Sequence, residues 1–438
     1  MAGIGDKVRA LAFWQMDLLK GGKLRSHFND VQQQVEHYSG TKSNQQHGAY
    51  LKTLLKHVCE SVPYYNGIES TTLTDFPVVN KLLIRDNDAQ FVSSNESYQE
   101  FKSVVTSGST GTPFSIKQDL RKSIRNTSDT IYFGKLAGFD IGQKLFYFKI
   151  WNKVNQKGSL LQKMQNIVPI DVSILDDETL PQIVKALQKD KSAKALLAYS
   201  SVYDAIAFYM QKNELKPLNH NVKAIIAMSE AFSKASRELI SKYLNANAVS
   251  RYSNMENGII AQQLNDGSDE FLINNASYHV EILDLDSDKP VAYGEAGRIV
   301  ITDLFNFCMP LIRYDTGDIG VLDQKEVFGD IRPVFKSIEG RKMDLIYDTS
   351  GSLMSSYIVT NNLWKYKEVK QYQFIQNSET DYKFLLNLDG EFSRAEELKE
   401  EFAAYLGEGA KVEIEYVDEI PVLSSGKRKK VLNNFTNK

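Results

Sequence analysis

Apolar positions change their spacing along the chain, and the changes divide it into elements. Leu51, Leu54, Leu55 and Val58 recur at the spacing of one helical face, and Pro63 ends that stretch. The first hundred or so residues read as mostly helical on this pattern. From Phe101 onward short apolar strands alternate with helices. Val222 to Met228 is a continuous apolar run followed by Ser229-Glu230. Ser233 to Leu244 then places Leu239, Ile240, Tyr243 and Leu244 on one helical face, and Ala248 to Ser253 reads as a further strand. This rhythm predicts a sheet flanked by helices. Val280 to Leu285 and Arg298 to Thr302 read as strands that bracket a turn-rich segment carrying Pro290, Gly294 and Gly297.

After about Gly340 the pattern changes. Gln371 to Ile375 and Tyr382 to Leu388 read as strands. Ser393-Arg-Ala-Glu396 reads as a capping box, Leu398, Phe402, Tyr405 and Leu406 as the apolar face of the helix it opens, and Gly407 as its stop. Val412, Ile414 and Tyr416 alternate with Lys411, Glu413 and Glu415, as a half-buried strand does. The expected class is therefore α/β. A large N-terminal domain of helix-flanked β-sheets (residues 1–340) precedes a small C-terminal α+β domain (residues 341–438). Near the N-terminus, Val8 to Leu19 is apolar with Phe13 and Trp14, and is expected to be an amphipathic helix docked on its own domain.

Composition narrows the classes. Lys plus Arg is 52 against 55 for Asp plus Glu, so a nucleic-acid polyanion is not expected as partner. The 2 cysteines, Cys59 and Cys308, are far apart, which excludes a disulfide framework and a Cys-rich zinc site. The 6 histidines show no metal-ligand spacing. No apolar run is long enough for a transmembrane segment, and Met1 to Asp6 does not open a signal peptide. A reducing, cytoplasmic setting is expected.

The segment richest in chemistry is Thr106-Ser-Gly-Ser-Thr-Gly-Thr-Pro113, which follows the apolar pair Val104-Val105. Glycines let backbone amides turn toward a polyanion and the hydroxyls add donors, so the composition suits a phosphate cradle. Taken alone, such a stretch is more often an ordinary surface loop. It is not the loop of P-loop nucleotidases, because no lysine follows Gly111. Gly426-Lys427 near the C-terminus fails the same test, being followed by Arg428.

The Thr106–Pro113 segment resembles the phosphate-loop signature of the adenylate-forming superfamily, which contains acyl-CoA synthetases, peptide-synthetase adenylation domains and luciferases. Further segments resemble the motifs of that family in order: Ser229-Glu230; Tyr252-Ser-Asn-Met-Glu256; Gly294-Glu-Ala-Gly-Arg-Ile-Val-Ile-Thr302; Arg313-Tyr-Asp-Thr-Gly-Asp318; Gly340-Arg341 with Asp344; and Ser424-Ser-Gly-Lys427. Val62-Pro-Tyr-Tyr65, Phe76-Pro-Val-Val-Asn-Lys81, Leu197-Ala-Tyr-Ser-Ser201 and Gln371-Tyr-Gln-Phe-Ile-Gln376 are similar to the phenylacetate-CoA ligase and CapK branch, which includes coenzyme F390 synthetase-like proteins.

The resemblance implies an ATP-dependent, AMP-forming ligase that activates a small carboxylic acid as its acyl-adenylate. The acyl group then passes to CoA, an amine or a sugar derivative. On this reading Thr106, Ser107, Gly108, Ser109, Thr110 and Gly111 hold the ATP phosphates, and Glu256 with Thr110 holds Mg²⁺. Ser229, Glu230, Ala231 and Tyr252 border adenine, Asp318 and Arg341 take the ribose, and Asp344 is the hinge. Lys427 bridges carboxylate and α-phosphate oxygens, so Lys427 and Glu256 are the catalytic pair. Tyr132, Phe133 and Asn254 border the acid by position. Surface-polysaccharide synthesis is the setting that the CapK branch implies. The chain departs from the family at Phe114, Ser253 and Met343, where lysine, glycine and an acidic residue are usual. An ADP-forming phosphotransferase and a non-catalytic nucleotide-binding protein are the competing classes. The bland alternatives are a solvated strand end for Glu256, a core side chain for Tyr252, a tight turn at Thr316–Asp318 and a basic tail at Lys427.

Overall fold

The computed structural model describes residues 3–106, 114–151, 159–218, 221–341, 346–354, 357–421 and 429–435. Helices Ile4–Leu19, Lys23–Glu36 and Thr41–Ser61 open the chain. The third buries Leu54, Leu55 and Val58 against Phe305, Leu311 and Ile312, and ends where Val62 turns extended before Pro63. The first helix stands Trp14 against Phe28 of the second, ring centroids 5.6 Å apart. Its other side leaves Ile4, Val8, Leu11, Leu18 and Leu19 exposed, so the expected docking uses only part of its apolar surface.

Among the described residues a sheet of 12 strands forms the centre of the molecule; one of them, Val79–Asn80, pairs parallel with Tyr314–Val327 beside the main path. One half is parallel, with neighbours in the order Ile167–Asp171, Lys144–Lys149, Lys194–Tyr199, Val222–Met228 and Ala248–Asn254. Val222–Met228 is the apolar run that the sequence marks out. Ser233 caps the helix that follows it, Lys234–Leu244, by accepting from the Ser236 amide. The antiparallel half continues through Gly258–Gln263, Phe271–Ile273, Asp330–Arg341, Tyr314–Val327, Ala296–Asp303 and Tyr278–Leu283. Helices Thr179–Lys189, Ser200–Lys212 and Lys234–Leu244 cover one face of the parallel half around Leu196, Ile225 and Ala227. Helix Leu120–Leu136 lies against Ile259, Leu272 and Val334 of the antiparallel half, held by buried Arg125, which donates to Ser277 Oγ, to the Ala276 carbonyl and to Asp30.

A second sheet, in the order Lys411–Tyr416, Asp381–Leu388, Val369–Gln376 and Val431–Asn433, packs Phe374 and Phe384 against Phe402 of helix Ala395–Leu406. Gly407 stops that helix with φ 101°. The expected capping box is corrected: Arg394 occupies the N-cap, no side chain caps the helix, and Arg394 pairs instead with Glu397 at 2.7 Å. A first-turn carboxylate held by the flanking guanidinium replaces the Ser393 hydroxyl.

Candidate active site

The strand Ala248–Asn254 is where the sheet changes from parallel to antiparallel, and open α/β sheets bind their ligands outside the carboxyl ends of the strands. Beyond it the chain turns back, and Asn254 Oδ1 closes the turn by accepting from the Asn257 amide at 2.8 Å. The turn delivers Glu256, which is buried, and Gln118 fixes the backbone there by donating to the Glu256 carbonyl at 2.9 Å. The Tyr314 hydroxyl donates to Glu256 Oε1 at 3.1 Å, and the Tyr252 hydroxyl donates to Asp318 Oδ2 at 2.6 Å. Burial and then the neighbouring carboxylates, Asp318 for Tyr252 and Glu256 for Tyr314, push both phenols well above their ordinary range. Both therefore stay protonated and keep donating.

The loop carrying Asp318 is built for this placement. Gly317 has φ 78° and its amide bonds Asp315 Oδ1 at 2.8 Å, while Thr316 Oγ1 accepts from the Asp318 amide at 3.1 Å. Arg313, just before it, points elsewhere: its guanidinium pairs with Glu281 at 3.1 Å and bonds the Phe76 carbonyl. Arg341 lies opposite Asp318 in the strand register.

On the neighbouring strand end, Ser229 has φ 69°, an uncommon conformation for a residue other than glycine. Glu230 follows it. Ser201 donates its amide to Glu230 Oε2 at 2.9 Å, and the Ser200 hydroxyl donates to the Glu230 carbonyl at 3.0 Å. Among the described residues Glu230 Oε1 is buried without a partner, and Ala231 is exposed. Lys430 of the small sheet reaches this region and donates to Asp204 of helix Ser200–Lys212 at 2.6 Å. Its pKa is raised; burial opposes the shift, and Asp204, with Tyr372 and Glu230, outweighs it. Lys212 on the same helix pairs with Asp389 at 2.7 Å, and Lys370 shares that carboxylate at 3.1 Å.

The structure thus brings Tyr252, Glu256 and Asp318 together and sets Ser229 and Glu230 on the adjacent strand end. It does not bring Tyr132 and Phe133 to that cluster. They are buried with Phe28, Val31, Leu272 and Val334, whereas Tyr252 packs with Phe335 and Ile299. Residues alternate across a strand, so the pair lies on the other face of the sheet from Tyr252. The Tyr132 hydroxyl bonds Glu36 at 3.4 Å. Ser107, Gly108, Ser109, Thr110, Gly111, Asp344 and Lys427 fall outside the described residues. For Thr106 and Arg341 only the backbone is described; Thr106 closes a two-stranded hairpin opposite Phe114. Sequence reasoning missed Tyr314, although it stands inside the quoted Arg313–Asp318 motif, and Asp204 with Lys430. It also missed Lys81, whose ammonium sits 5.2 Å from the Phe114 ring centre, beside the position where a lysine is usual.

Residues 346–434 match the CapK C-terminal domain family. Protein CapK of Staphylococcus aureus is 23% identical over 382 residues, 84% of this chain and 82% of that one. The phenylacetate-coenzyme A ligase of Thermus thermophilus is 22% identical over 297 residues, 62% of this chain and 64% of that enzyme. Among solved structures, 2-hydroxyisobutyryl-CoA ligase in its postadenylation state, in complex with 2-HIB-AMP, superposes with a TM-score of 0.71 at 17% identity over 90% of both chains. The same ligase in its thioesterification state gives 0.58 at 18% identity over the same share of both.

Proposed function

We propose that this chain, which belongs to the adenylate-forming superfamily on its CapK and phenylacetate-CoA ligase branch, activates a small carboxylic acid with ATP and passes the acyl group to a nucleophile. The observation that carries the reading is the convergence of Tyr252, Glu256, Tyr314 and Asp318 at the carboxyl end of the switch strand. In the first step a carboxylate oxygen bonds to the α-phosphorus of ATP, the bond from that phosphorus to the bridging oxygen breaks, and pyrophosphate leaves. The residue roles follow the family motifs. Thr106 to Gly111 cradle the phosphates, Ser229, Glu230, Ala231 and Tyr252 border adenine, and Asp318 with Arg341 takes the ribose hydroxyls. Asp318 is suited to two hydroxyls because an ionised carboxylate only accepts.

Glu256 fits a cation role. One of its oxygens is held by Tyr314, and among the described residues the other makes no hydrogen bond. With Thr110 it would hold Mg²⁺, which neutralises phosphate charge when bound. Lys427 would bridge the carboxylate and α-phosphate oxygens, stabilising charge as the bond forms. The large unit, residues 1–340, carries the nucleotide, and the small unit, 341–438, delivers Lys427 and turns about Asp344 between steps. CoA is the proposed acceptor. An amine or a sugar hydroxyl is the variant suited to surface-polysaccharide synthesis, and the reducing cytoplasm is the proposed setting. No helix among the described residues is long and apolar enough to cross a membrane.

Product analysis with ATP and a panel of carboxylic acids tests the reading. AMP and pyrophosphate are expected, and Lys427→Ala should abolish them while ATP still binds. ADP as the product would replace the ligase with a phosphotransferase. Tight ATP binding without turnover on any acid would leave a binding protein.

A further inference from the structure

Next to Tyr252 in the switch strand stands Arg251, 7% exposed. Side chains alternate along a strand, so its guanidinium leaves on the opposite face, toward helix Leu120–Leu136. There Nε donates to Gln262 Oε1 at 2.8 Å, and the Gln262 amide donates to the Phe133 carbonyl at 2.8 Å. Among the described residues this is the only hydrogen bond of the guanidinium, and it forms no ion pair. Arg125, fully buried in that helix, is treated differently: it has Asp30 at 2.5 Å and Asp129 at 3.8 Å. Taking a charge out of water is costly unless an opposite charge and hydrogen bonds offset it. Burial lowers its pKa to about 10, and among the described residues the only groups that act against this are the phenols Tyr147 and Tyr203.

The position is at the reactive end of the sheet. Arg251 pairs in register with Met228, and Met228 with Tyr199, along adjacent parallel strands. Tyr147, nearby on the Lys144–Lys149 strand, is raised by burial, with Arg251 pulling the other way. Two residues beyond Tyr147, Lys149 shares its face by the same alternation, and burial alone lowers its pKa. This corner therefore carries an unneutralised guanidinium, a partly desolvated ammonium and a tyrosine hydroxyl, beside the strand end that holds Tyr252 and leads to Glu256.

We infer that Arg251 is the specificity residue for a second anionic group on the acid, so that the substrate class is a short dicarboxylate. The inference rests on the ligase reading. One carboxylate lies at the strand end and attacks the α-phosphorus; the other stays ionised and takes both terminal nitrogens of Arg251 in the two-pronged geometry that guanidinium offers carboxylate. Nucleotide and acid approach the strand end from opposite faces and meet beyond Asn254. Only the attacking carboxylate exchanges bonds, so the second leaves unchanged as the free end of the acyl group.

Pyrophosphate exchange on matched acids tests this. Malonate, succinate and glutarate are compared with propionate, butyrate and valerate, in the full chain with ATP and magnesium. A dicarboxylate is expected to exceed its monocarboxylate partner at least a hundredfold in kcat/KM. Arg251→Leu should reverse the preference, mainly by raising KM for the dicarboxylate, and Arg251→Lys should restore part of it. Should the leucine variant not fold, the wild-type ratio and the Arg251→Lys shift still decide. Faster exchange with the monocarboxylates, or a ratio unchanged in Arg251→Leu, overturns the assignment while leaving the ligase. Exchange with none of these six acids overturns the assignment; exchange with no acid of a wider panel, though ATP binds, removes both.

Discussion

The two places where polar side chains gather in this molecule are built differently. At the switch strand of the large sheet, Glu256 is held by the buried phenol of Tyr314 and Asp318 by the half-buried phenol of Tyr252. Where the small sheet meets the large one, the contacts are ion pairs between partly exposed side chains, Lys430 with Asp204 and Lys212 with Asp389. The first kind of contact fixes geometry, because a buried hydrogen-bonded group has few alternatives. The second kind holds two bodies together and lets go at small cost, because exposed ion pairs are worth about 0–1 kcal/mol. On the proposed reading, the groups assigned to the nucleotide are thus held in place, and the small sheet is docked through contacts that part at small cost.

Experiments that separate the two regions follow from this contrast. The largest effect is expected at Glu256. Glu256→Gln keeps the shape and can still bond Tyr314, yet exchange should fall by about a hundredfold or more, as when a charge-stabilising group is removed. Melting should be little changed; a large loss of stability with activity retained would move Glu256 from chemistry to structure. At the docking surface, Lys430→Ala should slow exchange by up to about fivefold, since such an ion pair is worth about 0–1 kcal/mol. Acyl transfer from pre-formed acyl-adenylate should be spared, because on the proposed reading the small unit turns between the two steps. Equal loss in both steps would break the contrast. Tyr252→Phe removes one hydrogen bond worth about 1 kcal/mol, so KM for ATP should rise roughly fivefold.

The smallest effect is on melting. All 6 histidines lie before residue 341. His27 and His47 are each lowered to about 4, by burial first, with Arg125 next for His27 and His279 next for His47. The unfolded chain takes up these protons near pH 6.5, whereas the folded imidazoles resist until about pH 4. Stability present at pH 7 is therefore lost as pH falls between those values. Between pH 7 and pH 5 the large unit should melt a few degrees earlier while the small unit holds, as followed by calorimetry. His47→Gln should flatten that slope.

How much of this was legible in the sequence depended on the kind of signal. Val222–Met228 and Lys234–Leu244 were readable because a continuous apolar run and a 3.6-residue period seldom arise from any other local structure. The small sheet was readable from the alternation at Val412 and Ile414, both half-buried. The cap at Ser393 was misread because a pattern of residue types cannot show that Arg394 captures Glu397 first. The convergence of Glu256 with Tyr314 was invisible, since it depends on strands that pair only through the twelve-stranded sheet. Tyr132 and Phe133 were assigned by position alone, and their burial between helix Lys23–Glu36 and the sheet is a packing outcome that local sequence does not encode. The unpaired state of Arg251 is likewise a property of what does not approach it.

The most direct measurement follows the oxygen. An acid labelled with ¹⁸O in its carboxylate is incubated with ATP and magnesium, with hydroxylamine present to capture the activated acyl group. Attack on the α-phosphorus leaves the labelled oxygen on phosphorus when hydroxylamine takes the acyl carbon, so mass spectrometry should find one ¹⁸O in AMP beside unlabelled pyrophosphate. Label in inorganic phosphate, with ADP as the other product, would contradict the account.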